Sequence, residues 1–385
     1  MPYHIKVPLQ PRYYYQFKKH NVVGLLPKAG NMAKHMYSRN LSPLFCKYKH
    51  KNSINLLKTL AGDKFATVKA TQENVDKTIL SWDKYGPNDA TFEKDLQTEL
   101  EIAKEFFKFE YGSLFEDLVA DTDEIINSFD MNKSPGFPGT QQGIRSKKEY
   151  FDKDISKQME ALRHILPVIY NGVPKVEVKD MVDILERKIR LFCVSPAHYL
   201  YFQKKFTLRL SERFKLYKWS AYGINLYSSG ADKLCRSLLP FWARFCYDIS
   251  GWDKFIPLMS VIYDIQRDLM KANDIYFDYA QDFEWVVDNL VSMLIRLPNG
   301  EVLNKKLGNP SGSGSTTLDN IRMHIILFTT ILCAAYFEKS GSYPTLTSLA
   351  EQLACIYGDD IIGGVMEEYS LFVNREWLSK KIKNV

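Results

Sequence analysis

The 385 residues are 45% hydrophobic and 25% charged, which fits an ordinary globular chain and excludes a disordered, fibrous or collagen-like one. Such a length exceeds one hydrophobic core and predicts one large or two to three interleaved subdomains. The net charge of +6 is uneven: residues 1–60 hold eleven Lys and Arg and no Asp or Glu, leaving 40 basic against 45 acidic side chains in the rest.

That basic first segment is interleaved with Tyr13, Tyr14, Tyr15 and Phe17. Phosphate attraction plus base stacking would make it a nucleic-acid contact. A solvated arm, or a linker left from a larger precursor, fits the same residues. The N-terminus has no apolar core of the kind a signal peptide needs. The six cysteines are dispersed, without a CxxC pair or Cys/His cluster, so neither a zinc site nor a disulfide framework is indicated, and a reducing compartment is expected.

Farther along, 93–110 has Leu96, Leu100, Ile102, Ala103, Phe106 and Phe107 at helical spacing, which predicts an amphipathic helix. The Pro and Gly of 134–140 dictate a loop. From Lys175 to Arg190 the chain is highly charged and then turns apolar at Ile189–Val194, as a charged loop leading into a strand would. Residues 244–249 read as a short strand and 258–272 as a helix. Two runs joined through Pro298-Asn299-Gly300 predict a hairpin over 293–306. A Gly/Ser loop at 308–315 then opens a long helix to about Phe337. Its apolar stretch from Ile325 is too short to span a bilayer, so it reads as a core helix. Residues 352–363 form two short apolar runs around Tyr357-Gly358-Asp359-Asp360, a tight strand–turn–strand. This mixture predicts an α+β fold.

The chemistry concentrates in the acids. Asp359 and Asp360 sit at a hairpin tip, and Gly358 supplies the backbone freedom the turn needs. Alone, such a triplet is also an acidic surface turn. Asp248 at a strand end, with Asp253 five residues on, changes the balance, because a second strand-end acid beside that hairpin builds a cage of oxygen ligands. Hard Mg²⁺, or Mn²⁺ in its place, takes few carboxylates plus substrate phosphates. Two ions about 3.5–4 Å apart activate an attacking hydroxyl and stabilise a leaving pyrophosphate. Asp248 and Asp359 are the expected direct ligands, with Asp360 third. The 308–315 loop offers backbone N–H groups and hydroxyls suited to a nucleic-acid backbone, although a plain linker has the same composition. Thr316 and Asn320 share one helix face, and Asp319 reads as a first-turn acid complementing the helix dipole.

In order, Asp248-x4-Asp253, Ser311-Gly312-x3-Thr316-x3-Asn320 and Tyr357-Gly358-Asp359-Asp360 resemble motifs A, B and C of the RNA-directed RNA polymerases of positive-strand RNA viruses. The wording around Gly308–Asn320 is most similar to astrovirus-like enzymes, with potyvirus-like and picornavirus-like relatives. Upstream, Lys175-x-Glu177-x-Lys179 and Arg187-Lys188-Ile189-Arg190 resemble motif F, and Ser134-Pro135-Gly136 resembles motif G.

The resemblance covers about 130–365 and implies a right-hand polymerase with fingers and palm present and the thumb largely missing. It divides the chain into a basic segment (1–60), fingers (61–240), palm (241–260), a fingers insertion (261–308), palm (309–375) and the start of an incomplete palm or thumb region (376–385). It also implies roles. Asp248, Asp359 and Asp360 would hold two Mg²⁺ or Mn²⁺ ions. Asp253 and Asn320, helped by Ser311 or Thr316, would sense the ribose 2′-hydroxyl. Lys175, Lys179, Lys188 and Arg190 would bind the triphosphate, and Ser134, Pro135, Gly136 and Gly312 would contact the template. The expected partners are an RNA template and nascent strand, ribonucleoside triphosphates, and other viral replicase proteins or a protein primer. The expected location is the host cytoplasm, in replication complexes brought to membranes by partners, since no span is visible. The motif D lysine should lie at or beyond the end, near Lys380, Lys381 and Lys383. A reverse transcriptase would carry a bulky aromatic at Asp253 and lack Asn320. A non-catalytic RNA-binding scaffold leaves the ordered acids unexplained.

Overall fold

A computed structural model of the chain describes residues 21–25, 37–38, 65–68, 71, 95–151, 154–175, 178–180, 190–225, 229–249, 252, 258–305 and 308–382. Its strands are β1 (Asn21–Leu25), β2 (Tyr37–Ser38), β3 (Phe65–Val68), β4 (Ile169–Pro174), β5 (Val178–Asp180), β6 (Leu191–Val194), β7 (Ala243–Asp248), β8 (Met293–Arg296), β9 (Glu301–Lys305), β10 (Leu353–Tyr357) and β11 (Asp360–Val365). The longer helices are α1 (Gln97–Tyr111), α2 (Thr122–Asn127), α3 (Ile155–Ile165), α4 (Ala197–Arg213), α5 (Gly230–Leu238), α6 (Met259–Ala272), α7 (Tyr276–Val291), α8 (Thr316–Ser340) and α9 (Arg375–Ile382). Helices and sheets mix as the α+β reading expects. The stretch expected to be a charged loop also contains β5 and is preceded by β4.

Among the described residues the strands form three sheets. The first runs β1-β9-β8-β4-β6, antiparallel except for the parallel pair of β4 and β8, and so joins the 169–194 region to the 293–305 hairpin. That hairpin turns as the Pro-Asn-Gly signal demands. Gly300 has φ +95° and donates its N–H to Leu297, and Leu297 N–H returns to the Glu301 carbonyl at 2.7 Å. A second small sheet runs β2-β3-β5.

The third sheet, β10-β11-β7, is antiparallel and carries the motif acids. The outer edge of β10 is covered by Trp219–Ala221: Ile356 N–H donates to Trp219 O at 2.8 Å, and Ala221 N–H donates to Ile356 O at 2.9 Å. The Trp219 indole N–H also reaches Gln352 O at 3.0 Å.

Behind this sheet lies α8. Among the described residues it is the one helix long and apolar enough to cross a membrane by length and composition, yet it is buried inside the protein for most of its length. An apolar surface all round, rather than a stripe, is what a helix enclosed on every side requires. Phe328 on α8 meets Trp219 (5.1 Å between ring centroids), Phe245 of β7 (5.7 Å) and Phe372 (5.1 Å), and Phe106 of α1 stacks on Trp219 at 5.1 Å. Fully burying a ring of this size contributes roughly 1.5–3 kcal/mol, so the cluster fixes α8 against the sheet that bears the acids.

Candidate active site

The register of the third sheet brings the acids together. Asp248 is the last residue of β7 and the direct partner of Asp360, the first residue of β11. Tyr357 and Asp360 close the β10–β11 hairpin, leaving Gly358 and Asp359 as its two-residue turn. Gly358 has φ +69° and Asp359 does not have positive φ, the sign pattern of a II′ turn with Gly at its first central position. All three acids are exposed at one end of the sheet. Among the described residues none of them has an ion-pair or hydrogen-bond partner. The Asp360 carboxyl is pushed above its ordinary value, by burial first and then by the negative charges of Asp359 and Asp248.

Clustered carboxylates without a counter-charge are a donor set suited to a hard divalent cation. The residues present therefore fit the metal the motifs imply. Among the described residues, no three His, Cys, Asp or Glu side chains already converge as a ligand set.

α8 reaches the β10–β11 turn through His324. His324, two turns beyond Thr316 and one beyond Asn320 on the same face, is buried and places Nδ1 3.1 Å from the Gly358 carbonyl. A carbonyl only accepts, so Nδ1 carries the proton. Burial pushes this imidazole down to about 4, against the opposing pull of Gly358 O and Asp359, so it is neutral at physiological pH. Trp252 stacks on it with centroids 4.6 Å apart. His324 thus ties the turn bearing Asp359 to α8. Nothing in its local sequence singles it out, but its i+4 and i+8 spacing from Asn320 and Thr316 does.

The loop before α8 is anchored on two sides. Gly312 forms an isolated bridge with Val194, and Ser195 Oγ donates to its carbonyl at 3.3 Å. A Cβ on Gly312 would lie 2.2 Å from the Cys193 carbonyl, so only glycine permits this approach. From α4, buried Gln203 accepts from Gly314 N–H at 2.9 Å and donates to Ser315 Oγ at 2.7 Å. Ser315 Oγ in turn donates to Asp319 at 2.5 Å, and Tyr263 OH of α6 donates to the same carboxylate at 3.2 Å.

Asp319 therefore does more than complement the dipole. It is fully buried, 3.4 Å from the equally buried Arg322, and burial raises its carboxyl to about 6 against the lowering effects of Arg322, Ser315 and Tyr263. Arg322 also donates to Ile262 O at 2.5 Å. Gln203, Tyr263 and Arg322 escape a sequence reading because they act by contacts between distant segments.

The other motif residues distribute as follows. Ser311 is exposed on the loop. Thr316 Oγ1 is engaged within the loop, donating to Pro310 O at 2.8 Å. Asn320 Oδ1 accepts from Asn309 Nδ2 at 2.8 Å. Ser134–Gly136 and Gly312 pack against neighbouring parts of one segment, because Ala197 N–H donates to Pro135 O at 2.8 Å while Gly312 meets Val194. Lys175 and Arg190 are exposed side by side where β4 ends and β6 begins, with Lys175 N–H donating to Arg190 O at 2.8 Å. Asp253, Lys188 and the side chain of Lys179 lie outside the described residues. Of the lysines near the end, Lys381 pairs with Glu338, and Lys383 lies outside the described residues.

A family model described as viral RNA-dependent RNA polymerase matches residues 65–376. The chain belongs to that family. Its relatives include genome polyprotein 1 of Barley mild mosaic virus (strain Na1), 30% identical over 190 residues, covering 48% of this chain and 8% of that protein. The non-structural polyprotein 1AB of Turkey astrovirus 2 is 43% identical over 79 residues, 20% of this chain and 5% of that protein. The genome polyprotein of Soybean mosaic virus (strain N) is 26% identical over 260 residues, 65% of this chain and 8% of that protein. The match thus spans less than a tenth of each of these three polyproteins.

Proposed function

We propose that this chain catalyses template-directed RNA synthesis, joining the 3′-hydroxyl of a nascent strand to the α-phosphate of a ribonucleoside triphosphate with release of pyrophosphate. The observation that carries the reading is the register pair of Asp248 and Asp360, with Asp359 in the adjoining turn and, among the described residues, no counter-charge paired with any of them. Asp248 and Asp359, with Asp360 as a third, would hold two Mg²⁺ or Mn²⁺ ions. Such ions, when bound, favour the deprotonated attacking hydroxyl and offset charge on the leaving pyrophosphate.

The protein's own residues then do the orienting. His324 holds the Gly358 carbonyl and keeps Asp359 aimed from the turn. The loop anchored by Gly312, Gln203 and Ser315 presents Ser311, and α8 presents Asn320, toward the sugar, with Asp253 as the other half of ribose selection. Lys175 and Arg190, with Lys179 and Lys188, would neutralise the triphosphate, and a guanidinium suits that bidentate role. The segment Val194–Ala197, flanked by Ser134–Gly136 and Gly312, would support the template strand. In this reading the third sheet and α8 form the palm, the 61–240 and 261–308 regions form the fingers, and other replicase proteins or a protein primer act in a cytoplasmic, membrane-associated complex.

The test is primer extension on an RNA template with ribonucleoside triphosphates and Mg²⁺, comparing the native chain with Asp359→Asn. Extension that disappears in the variant supports the proposal. Extension that survives removes Asp359 from the chemistry. A folded native chain that binds RNA without extending it would favour a binding or scaffold role.

A further inference from the structure

Asn309 is buried to 2% exposure at the start of the Gly/Ser loop, and no role has yet been assigned to it. Its Nδ2 donates to the Thr316 carbonyl at 3.2 Å and to Asn320 Oδ1 at 2.8 Å. Its own Oδ1 is buried with no partner among the described residues. These contacts settle the orientation of both amides. A backbone carbonyl can only accept, so the end of Asn309 facing Thr316 O is the NH₂. The atom of Asn320 that meets the same NH₂ is therefore its oxygen, and the NH₂ of Asn320 is the end turned away from Asn309. The orphaned acceptor adds a second argument. An apolar side chain would fill this buried position without leaving a polar atom unmet, so what an amide supplies here is its two donors.

We propose that Asn309 is a positioning residue for substrate selection: it occupies the Asn320 oxygen and so presents Asn320 to the sugar as a hydrogen-bond donor, which recognises the 2′ position by its ability to accept. This rests on the reading of Asn320 as a ribose-facing residue. Asn309 does not itself touch the nucleotide. An acid at this position could not donate to either oxygen, and Asn320 would have to turn over, offering its oxygen to the substrate instead.

The experiment is single-nucleotide incorporation by the native chain, Asn309→Asp and Asn309→Leu, measuring kcat/KM for matched ribo- and deoxynucleotides alongside thermal unfolding. The expected result in Asn309→Leu is a fall of about tenfold for ribonucleotides, the scale of one hydrogen bond, with deoxynucleotides unchanged, so that discrimination narrows. In Asn309→Asp the turned-over Asn320 oxygen still accepts from a 2′-hydroxyl, so ribonucleotide use is kept while any preference for a 2′-fluoro over a 2′-deoxy nucleotide is lost. Equal losses for the two sugars would mean a purely structural role and overturn the proposal. The native chain gives a second reading that needs no variant to fold. A 2′-fluoro nucleotide, whose fluorine accepts but cannot donate, should be used in preference to the 2′-deoxy form, and equal use of the two would also overturn the proposal. Failure of the native chain to incorporate any nucleotide would strike the proposed function instead, and so is distinguishable from both.

Discussion

Arg322 and Asp319 stand 3.4 Å apart with no exposure on either side chain, and their removal one at a time and together should give opposite results. At that separation the attraction is about 5 kcal/mol if the effective dielectric constant is about 20. Burial outweighs it on both sides, raising Asp319 to about 6 and lowering Arg322 from its ordinary value. A pair in that condition contributes little net stability, yet either member alone is costly. Arg322→Met should therefore destabilise the protein by roughly 3–5 kcal/mol near neutral pH. Adding Asp319→Asn removes the stranded charge while keeping an acceptor for Ser315 and Tyr263, and should return stability to within about 1 kcal/mol of native.

The pH dependence has a definite sign. A carboxyl raised in the folded state binds its proton more firmly there than in the unfolded chain, so its contribution to stability is present at low pH and lost as pH rises. In Arg322→Met the lowering pull on Asp319 is gone and its value climbs above 6. The cost of the variant should accordingly be smaller at pH 5.5 than at pH 8. Denaturant titrations of the three proteins at those two pH values measure all of this. A neutral Arg322→Met, or a double variant as damaged as the single, would refute the reasoning.

Gly312→Ala would press a methyl against the Cys193 carbonyl at 2.2 Å. Stability should fall by about 1–3 kcal/mol, and primer extension should fall at least tenfold even at temperatures where the variant is folded. His324→Leu keeps the volume but leaves the Gly358 carbonyl without its donor. Its rate should drop about 10- to 100-fold, as is usual for residues that orient metal ligands, with a higher Mg²⁺ requirement in a metal titration. Arg267 and Tyr276 hold the Glu284 carboxylate below its ordinary 4.5. That group's stabilisation is present above 4.5 and lost as pH falls through the lowered value, so native and Glu284→Gln melting temperatures should converge toward acid. The difference at neutral pH should stay under about 1 kcal/mol, since the pair is partly solvated.

Much of the site was legible because its pieces are local. The Tyr-Gly-Asp-Asp turn, the strand ending at Asp248 and the long helix after the Gly/Ser loop each announce themselves within a dozen residues, through alternation, helical spacing and glycine. What brings them together is not local. The pairing of β7 with β11 sets Asp248 opposite Asp360, and no periodicity specifies which strands become neighbours. The parallel pairing of β4 with β8 was equally invisible. Asp319 shows the limit most plainly. An acid in the first turn of a helix satisfies a dipole argument, and only tertiary contacts with Ser315, Tyr263 and Arg322 show that it is an anchor in the interior. Gln203 was hidden for the same reason, as a polar residue on one helix whose partners belong to a loop more than a hundred positions away.

The stack of Trp252 on His324 gives the enzyme a native optical reporter. Indole emission responds to what lies against the ring, and here the ring lies against the imidazole that grips the Gly358 carbonyl. A shift of that turn that moved His324 would change what lies against the indole. With the other five tryptophans replaced by phenylalanine, emission from Trp252 alone would follow the Gly358–Asp359 turn in real time, without an added label.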